Sequence, residues 1–148
     1  MFTVKNIIKY ISYWPPYLAS GISVDSYDLD AGYVVSKLKR TPFNGNAFGT
    51  HFGGSIFAMC DPWYVFLTLH HLGKGYIVWD IQGEVRFLKA TKETIYARFE
   101  ISQEKIEEIK KQALKGEKVI STYSNEITTK SGEIVAEIKK TTYVRKKP

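Results

Sequence analysis

Within residues 44–62, NGNAFGTHFGGSIFAMCDP, a carboxamide, an imidazole, a glycine pair and a carboxylate follow one another as Asn46, His51, Gly53-Gly54 and Asp61. A carboxylate can take a proton from water or attack a carbonyl carbon, and a carboxamide can orient either partner. The unpaired N–H groups in the first turn of a helix can hold an oxygen as it gains charge, and glycines there let a substrate reach the backbone. Gly54 is the first such donor expected. Asp61 sits in an otherwise apolar stretch and is expected to be buried, where an uncompensated carboxylate is costly and needs a partner, a capping role or a chemical task.

Each of these residues has a structural alternative. Asp61-Pro62 reads equally as an N-cap followed by the first helical residue, restarting a helix at Pro62. The glycine pair can serve tight packing or a turn, and His51 can be a hydrogen-bonded loop residue. His70-His71 fit contacts with the last carbonyls of a helix better than a metal site, so no metal and no cofactor are expected. Asp80, beside Trp79, reads as an outward residue, solvated or paired with Arg86 or a lysine, with a place in the site as the alternative. Phe48, Phe57, Trp63, Tyr64, Phe66 and Trp79 are core by default, although those facing the helix can wall an apolar ligand tunnel.

The elements that must position these residues follow from periodicity. Val4, Ile7, Ile8 and Ile11 mark one face of a helix of about three turns that Pro15-Pro16 ends. LASGISVDSYDL and YVVSKLKR flank Asp30-Ala31-Gly32 as a hairpin. The run Gly53 to Leu72 has no polar face, so a helix there must be covered all round. A membrane span is the rival reading, and Asp61-Pro62 near its middle argues against it. In YIVWDIQGEVRFLKA the odd positions Ile77, Trp79, Ile81, Val85 and Phe87 are apolar, which predicts one long strand with that face inward. Thr94 to Ile101 repeats the pattern, and the turn at 89–93 predicts that the two strands pair. Ser102 caps a surface helix stopped by Gly116, and two strands, roughly 118–129 and 133–144, meet at Lys130-Ser131-Gly132.

A length of 148 residues, 44% hydrophobic and 24% charged, with no linker, repeat or low-complexity tract, predicts one domain over residues 1–148. The single Cys60 calls for no oxidising compartment, and the opening segment lacks the cleavage signature of a secretory signal, so a cytoplasmic protein is expected. The net charge of +6 suits anionic partners, but its only concentration is at the C-terminal end. A solvated tail is favoured over nucleic-acid binding there, and a phosphate-bearing small molecule fits the same charge.

One apolar helix followed by long antiparallel strands resembles the hotdog fold, an α+β architecture in which an antiparallel sheet wraps a central helix. The motif residues carry the likeness further. Asn46, Phe52-Gly53-Gly54 and Met59-Cys60-Asp61 match the spacing of hotdog thioesterases of the phenylacetyl-CoA type, in which an asparagine and a His-Gly-Gly element introduce a helix bearing an acid. GTHFGGSIFAMCDP with YIVWD and RFLK is most similar to the superfamily branch described as a domain of unknown function with thioesterase-like members. Phe52 stands where the better-known enzymes have histidine, and His51 lies one residue earlier.

The resemblance implies an acyl-CoA or related thioester hydrolase acting in a homodimer or dimer of dimers, with its acyl site between two helices. On an unbroken helix Asp61 lies about 10 Å from Gly54, too far to share one acyl carbon within a chain. The expected arrangement therefore sets Asp61 of one chain against Gly54 and Asn46 of the other, with His51 nearby. Gly53, Phe52, Phe57, Trp79 and Asp80 are the expected substrate contacts. A non-catalytic acyl-binding protein is the alternative, and an acyl-thioester dehydratase or hydratase, which would need His51 and Asp61 to meet, ranks last.

Overall fold

The computed structural model describes residues 3–148. Thr3 caps helix α1 (Val4–Tyr10) by accepting from the Asn6 N–H at 3.3 Å. A 3₁₀ turn, Ile11–Tyr13, follows, and Pro15-Pro16 then opens a second helix, α2 (Pro15–Ser20), whose first-turn positions need no N–H partner. The expected hairpin strand is therefore shorter at its start, because residues 18–20 belong to α2. β1 (Ile22–Asp28) and β2 (Tyr33–Leu38) form the rest of that hairpin.

The apolar run forms two helices, α3 (Gly53–Ala58) and α4 (Trp63–Leu72), separated by a turn with a cis Asp61-Pro62 bond. β3 (Tyr76–Phe87), β4 (Ile95–Glu100), α5 (Gln103–Leu114), β5 (Val119–Thr129) and β6 (Ile134–Lys146) complete the chain. One antiparallel six-stranded sheet results, in the order β1-β2-β4-β5-β6-β3. The pairing expected between β3 and β4 is not made: β4 lies between β2 and β5, while among the described residues β3 pairs only with β6 and forms an edge.

The core lies between this sheet and α4, with Trp63 and Leu67 buried against Ile95, Ala97 and Phe99 of β4. α5 closes the core with Ile106, Ile109 and Ala113 after its Ser102 cap; Leu114, the fourth apolar residue expected on that stripe, is exposed instead. The sheet with α3–α4 as its central helix is the hotdog arrangement. Among the described residues no helix is long and apolar enough to cross a membrane.

β3 departs from simple alternation in a way that matters for the site. Tyr76 and Val78 are buried and Trp79 is 64% exposed, so the first half of the strand turns its even positions inward, against the expected odd face. A bulge between Asp80 and Gln82 then shifts the register, pairing Asp80 with Thr142 and Gly83 with Lys140. Directly paired residues share a face, and a bulge exchanges parity. Asp80 and Gly83, one even and one odd, therefore both face inward.

Candidate functional site

Asp61 is not buried: its side chain is 54% exposed, at the break between the two central helices. It is not the cap of α4 either, because Pro62 occupies that position and no side chain caps it. Tyr17 of α2, itself buried, instead donates its hydroxyl to the Asp61 main-chain carbonyl and pins the turn from outside the sheet. Burial raises the Tyr17 phenol, with the Asp61 charge adding to the effect, so the group stays a donor. The break also ends the unbroken helix that would set Asp61 about 10 Å from Gly54.

The Asp61 carboxylate faces Lys140 of β6. The Lys140 ammonium lies 3.2 Å from Asp61 Oδ1 and 2.8 Å from Asp80 Oδ2, and its side chain is only 5% exposed. Asp80 thus points inward to a lysine rather than outward, and Arg86 pairs with Glu137 instead. The ammonium approaches Asp80 at ion-pair distance but off hydrogen-bonding direction, leaving both Asp80 oxygens without a donor in good geometry among the described residues. Burial raises the Asp80 carboxyl, a shift that Lys140 opposes and the Asp61 charge reinforces. Burial also pulls Lys140 down, but Asp80 and Asp61 outweigh it and leave the lysine raised, hence charged.

An aromatic ring closes the cluster. Phe57 of α3 occupies the space that Gly83 leaves open, since a Cβ there would come within 2.7 Å of the ring, and Lys140 Nζ lies 5.6 Å from the ring centroid. Ser121, Tyr123 and Thr142 place three more buried hydroxyls on the inward face of β5 and β6, and Tyr64 of α4 stacks on Tyr123 at 4.2 Å.

Two grooves meet at Asp61-Pro62. One, of about 650 Å³, runs between the N-terminal helical segment and α4, walled by Ile7, Tyr10, Ile11, Trp14 and Phe66. The other, of about 530 Å³, runs between α4 and β3 past Val65, Leu69, Trp79 and Asp80 to Lys147. Trp79 is therefore a wall of the second groove and not a core residue.

The remaining expected site residues gather elsewhere. Asn46, His51 and Gly53 line a separate cleft of about 330 Å³ with Phe87 and Leu88. The Asn46 amide donates to Thr50 Oγ1 at 2.9 Å and to the His51 carbonyl at 3.1 Å, while its oxygen accepts from the Phe48 and Thr50 N–H groups. His51 is buried, and its Nε2 lies 2.7 Å from the Glu93 carbonyl. A carbonyl only accepts, so Nε2 carries the proton; burial lowers the imidazole's affinity for a second one. Gly53 lies under the Phe87 ring, a Cβ at Gly54 would meet the Phe52 ring at 2.4 Å, and Phe52 and the expected core residue Phe48 are exposed.

His70 pairs with the Asp30 carboxylate at 2.8 Å instead of the expected helix carbonyls. Among the described residues no group of three or more metal-ligating side chains could hold an ion. Lys140 is the functional candidate that a reading by motif misses. Its signal is the parity of β6, where Ala136, Ile138, Lys140, Thr142 and Val144 share one buried face, so a lysine stands where an apolar residue is due.

Comparison with known proteins identifies the fold and the family. The solved structure of a Pseudomonas aeruginosa protein of unknown function, described as a probable thioesterase, superposes with a TM-score of 0.85 at 19% identity, covering 97% of this chain and 96% of that one. A thioesterase from Haemophilus influenzae gives 0.69 at 14% identity, over 99% and 92% of the two chains. Zebrafish thioesterase superfamily member 2 gives 0.67 at 18% identity, over 97% and 99%. At such identities the likeness establishes the hotdog fold. No curated protein matches the sequence. A family described as a domain of unknown function, DUF4442, matches residues 5–144, and the chain belongs to that family.

Proposed function

We propose that the protein hydrolyses acyl-CoA or related acyl thioesters, with Asp61 as general base or nucleophile. The observation that carries this reading is the Asp61 carboxylate itself, half exposed where two grooves meet and backed by a buried ammonium. The apolar groove along α4 suits an acyl group, and the groove that ends at Lys147 suits the anionic carrier. In the general-base route Asp61 takes a proton from water while the water oxygen attacks the thioester carbon. The Gly54 N–H stabilises the oxyanion, and collapse of the intermediate expels the thiolate, which takes up the proton.

Gly54 reaches the reaction from a second copy in this reading, with Asn46 and His51 holding the loop that carries it. Support for a homodimer comes from the surface: β3 is an edge strand with Trp79 and Ile81 exposed, and Phe43, Phe48, Phe52 and Phe87 are exposed nearby in sequence or across the glycine pair. A long apolar edge and clustered exposed aromatics are features that association covers.

The test is thiol release from short, long and aromatic acyl-CoAs by the wild type and by Asp61→Asn. Turnover that falls by about a hundredfold or more in the folded variant is expected, a loss of about 2.7 kcal/mol of transition-state stabilisation. Saturable acyl-CoA binding without turnover would replace this reading with a non-catalytic acyl-binding protein.

A further inference from the structure

We infer that Lys140 is the positioning residue of the Asp61 site, its buried ammonium paired with both Asp80 and Asp61 so that it fixes the direction in which the Asp61 carboxylate is presented. The inference rests on the thioesterase reading for its catalytic consequence, but the geometry behind it stands independently.

Three observations converge on that role. An exposed carboxylate on a turn samples several rotamers, and a surface ion pair to a free lysine would hold it weakly. Lys140 is not free: its side chain is buried, and its ammonium also lies 2.8 Å from Asp80, whose carboxyl is close enough to interact directly with that of Asp61. Phe57 lies against the ammonium in the space that Gly83 vacates, which limits the paths by which Lys140 could leave. Nothing in packing alone calls for the charge, since the neighbouring inward positions of β6 are filled by Ile138 and Thr142. A hydrophobic isostere of a buried ion pair is often neutral or stabilising, so a retained buried pair that reaches an exposed carboxylate is better explained by that carboxylate.

The bulge in β3 gives the arrangement its geometry. Asp80 and Gly83 reach the same face only because the register shifts between them, and they meet the consecutive inward residues Thr142 and Lys140 of β6. One supplies the anchoring charge and the other supplies room for the ring. Removing the bulge would turn one of them away from the lysine.

The test uses Lys140→Met, Lys140→Arg and the double variant Lys140→Met/Asp80→Leu in the full chain. Lys140→Met leaves Asp80 as a buried carboxylate without its partner and is expected to lose stability; the double variant removes that orphan and restores it. If Lys140 positions Asp61, kcat falls by about tenfold or more in both, with KM within about threefold, and Lys140→Arg recovers part of kcat. A double variant that regains kcat along with stability overturns the inference and leaves Lys140 a scaffold residue.

A second readout needs no turnover. Side-chain scalar couplings of Asp61 measured by NMR are expected to report one rotamer in the wild type and rotamer averaging in the double variant. Unchanged couplings overturn the inference. If the wild type releases no thiol from any substrate, the thioesterase reading fails, and the couplings alone decide whether Lys140 holds Asp61.

Discussion

The loop around Asn46 and the cluster around Lys140 both concentrate polar groups beside the central helices, yet the Asn46 side chain is fully hydrogen-bonded and the Asp80 side chain is not. Asn46 commits both amide protons and its oxygen to its own loop, whereas His51 donates from Nε2 to a carbonyl and leaves Nδ1 buried without a partner among the described residues. Around Lys140, one ammonium serves two carboxylates, and Asp80 keeps oxygens with no donor in hydrogen-bonding geometry. Satisfied polar groups rigidify a fold, whereas under-coordinated ones in a cleft are poised to bind or react. Asn46 is thus framework, and the under-coordinated cluster around Lys140 is where chemistry is proposed.

That contrast breaks most sharply at Asp61. Asp61→Asn is expected to cost about a hundredfold in kcat/KM with little change in melting temperature; a folded variant with full rate would move the chemistry out of the Lys140 cluster. Asn46→Ala should do the reverse. Losing its loop hydrogen bonds is expected to cost about 2 kcal/mol, or roughly 4–8 °C in melting temperature for a chain of this size, with activity changed by less than about tenfold. Thermal unfolding followed by circular dichroism checks it, and an unchanged midpoint would show that the loop does not depend on this amide.

Two smaller effects sharpen the comparison. Gly83→Ala places a Cβ against Phe57 and should displace the ring from Lys140, lowering kcat by roughly tenfold while the fold tolerates the shift of one half-buried ring. Equal rates for the two proteins would release Phe57 from any part in the cluster. His51 is held below its ordinary proton affinity by burial, so the unfolded chain binds a proton that the folded chain refuses. Stability from this group is complete above about pH 6.5 and declines as pH falls toward the depressed folded value. His51→Gln should flatten that part of the stability curve in urea titrations; an identical slope would assign the decline to other groups, His71 first, since burial lowers it too.

Elements set by local chemistry were legible in the residues. The Ser102 cap, the stripe of Ile106, Ile109 and Ala113 without its expected fourth member Leu114, and the alternation of Ile95, Ala97 and Phe99 name their own structure. What escaped was decided by partners distant in sequence. β3 turns back to β6 rather than to its successor, because β4 is taken by β2 and β5. Its bulge rests on a register with Thr141 and Thr142 that no window on β3 contains. Asp61 was legible as a candidate but its exposure was not, since the apolar residues around it bury themselves while the turn that carries it faces out. Lys140 hid among other lysines, where a count of charge sees a solvated strand and only alternation sees an interior position.

The lone cysteine acquires a practical meaning from its place in this fold. Cys60, adjacent to Asp61, is wholly buried and donates to the Ile56 carbonyl at 3.4 Å, and burial pushes its thiol well above the ordinary range. Such a thiol reacts slowly while the core is closed. A colorimetric reagent added to a working reaction would therefore register the thiol released from substrate and leave the protein silent. The same reagent without substrate becomes a clock for opening of the turn beneath Asp61, one labelling event per chain, read directly at the position where the chemistry is proposed to occur.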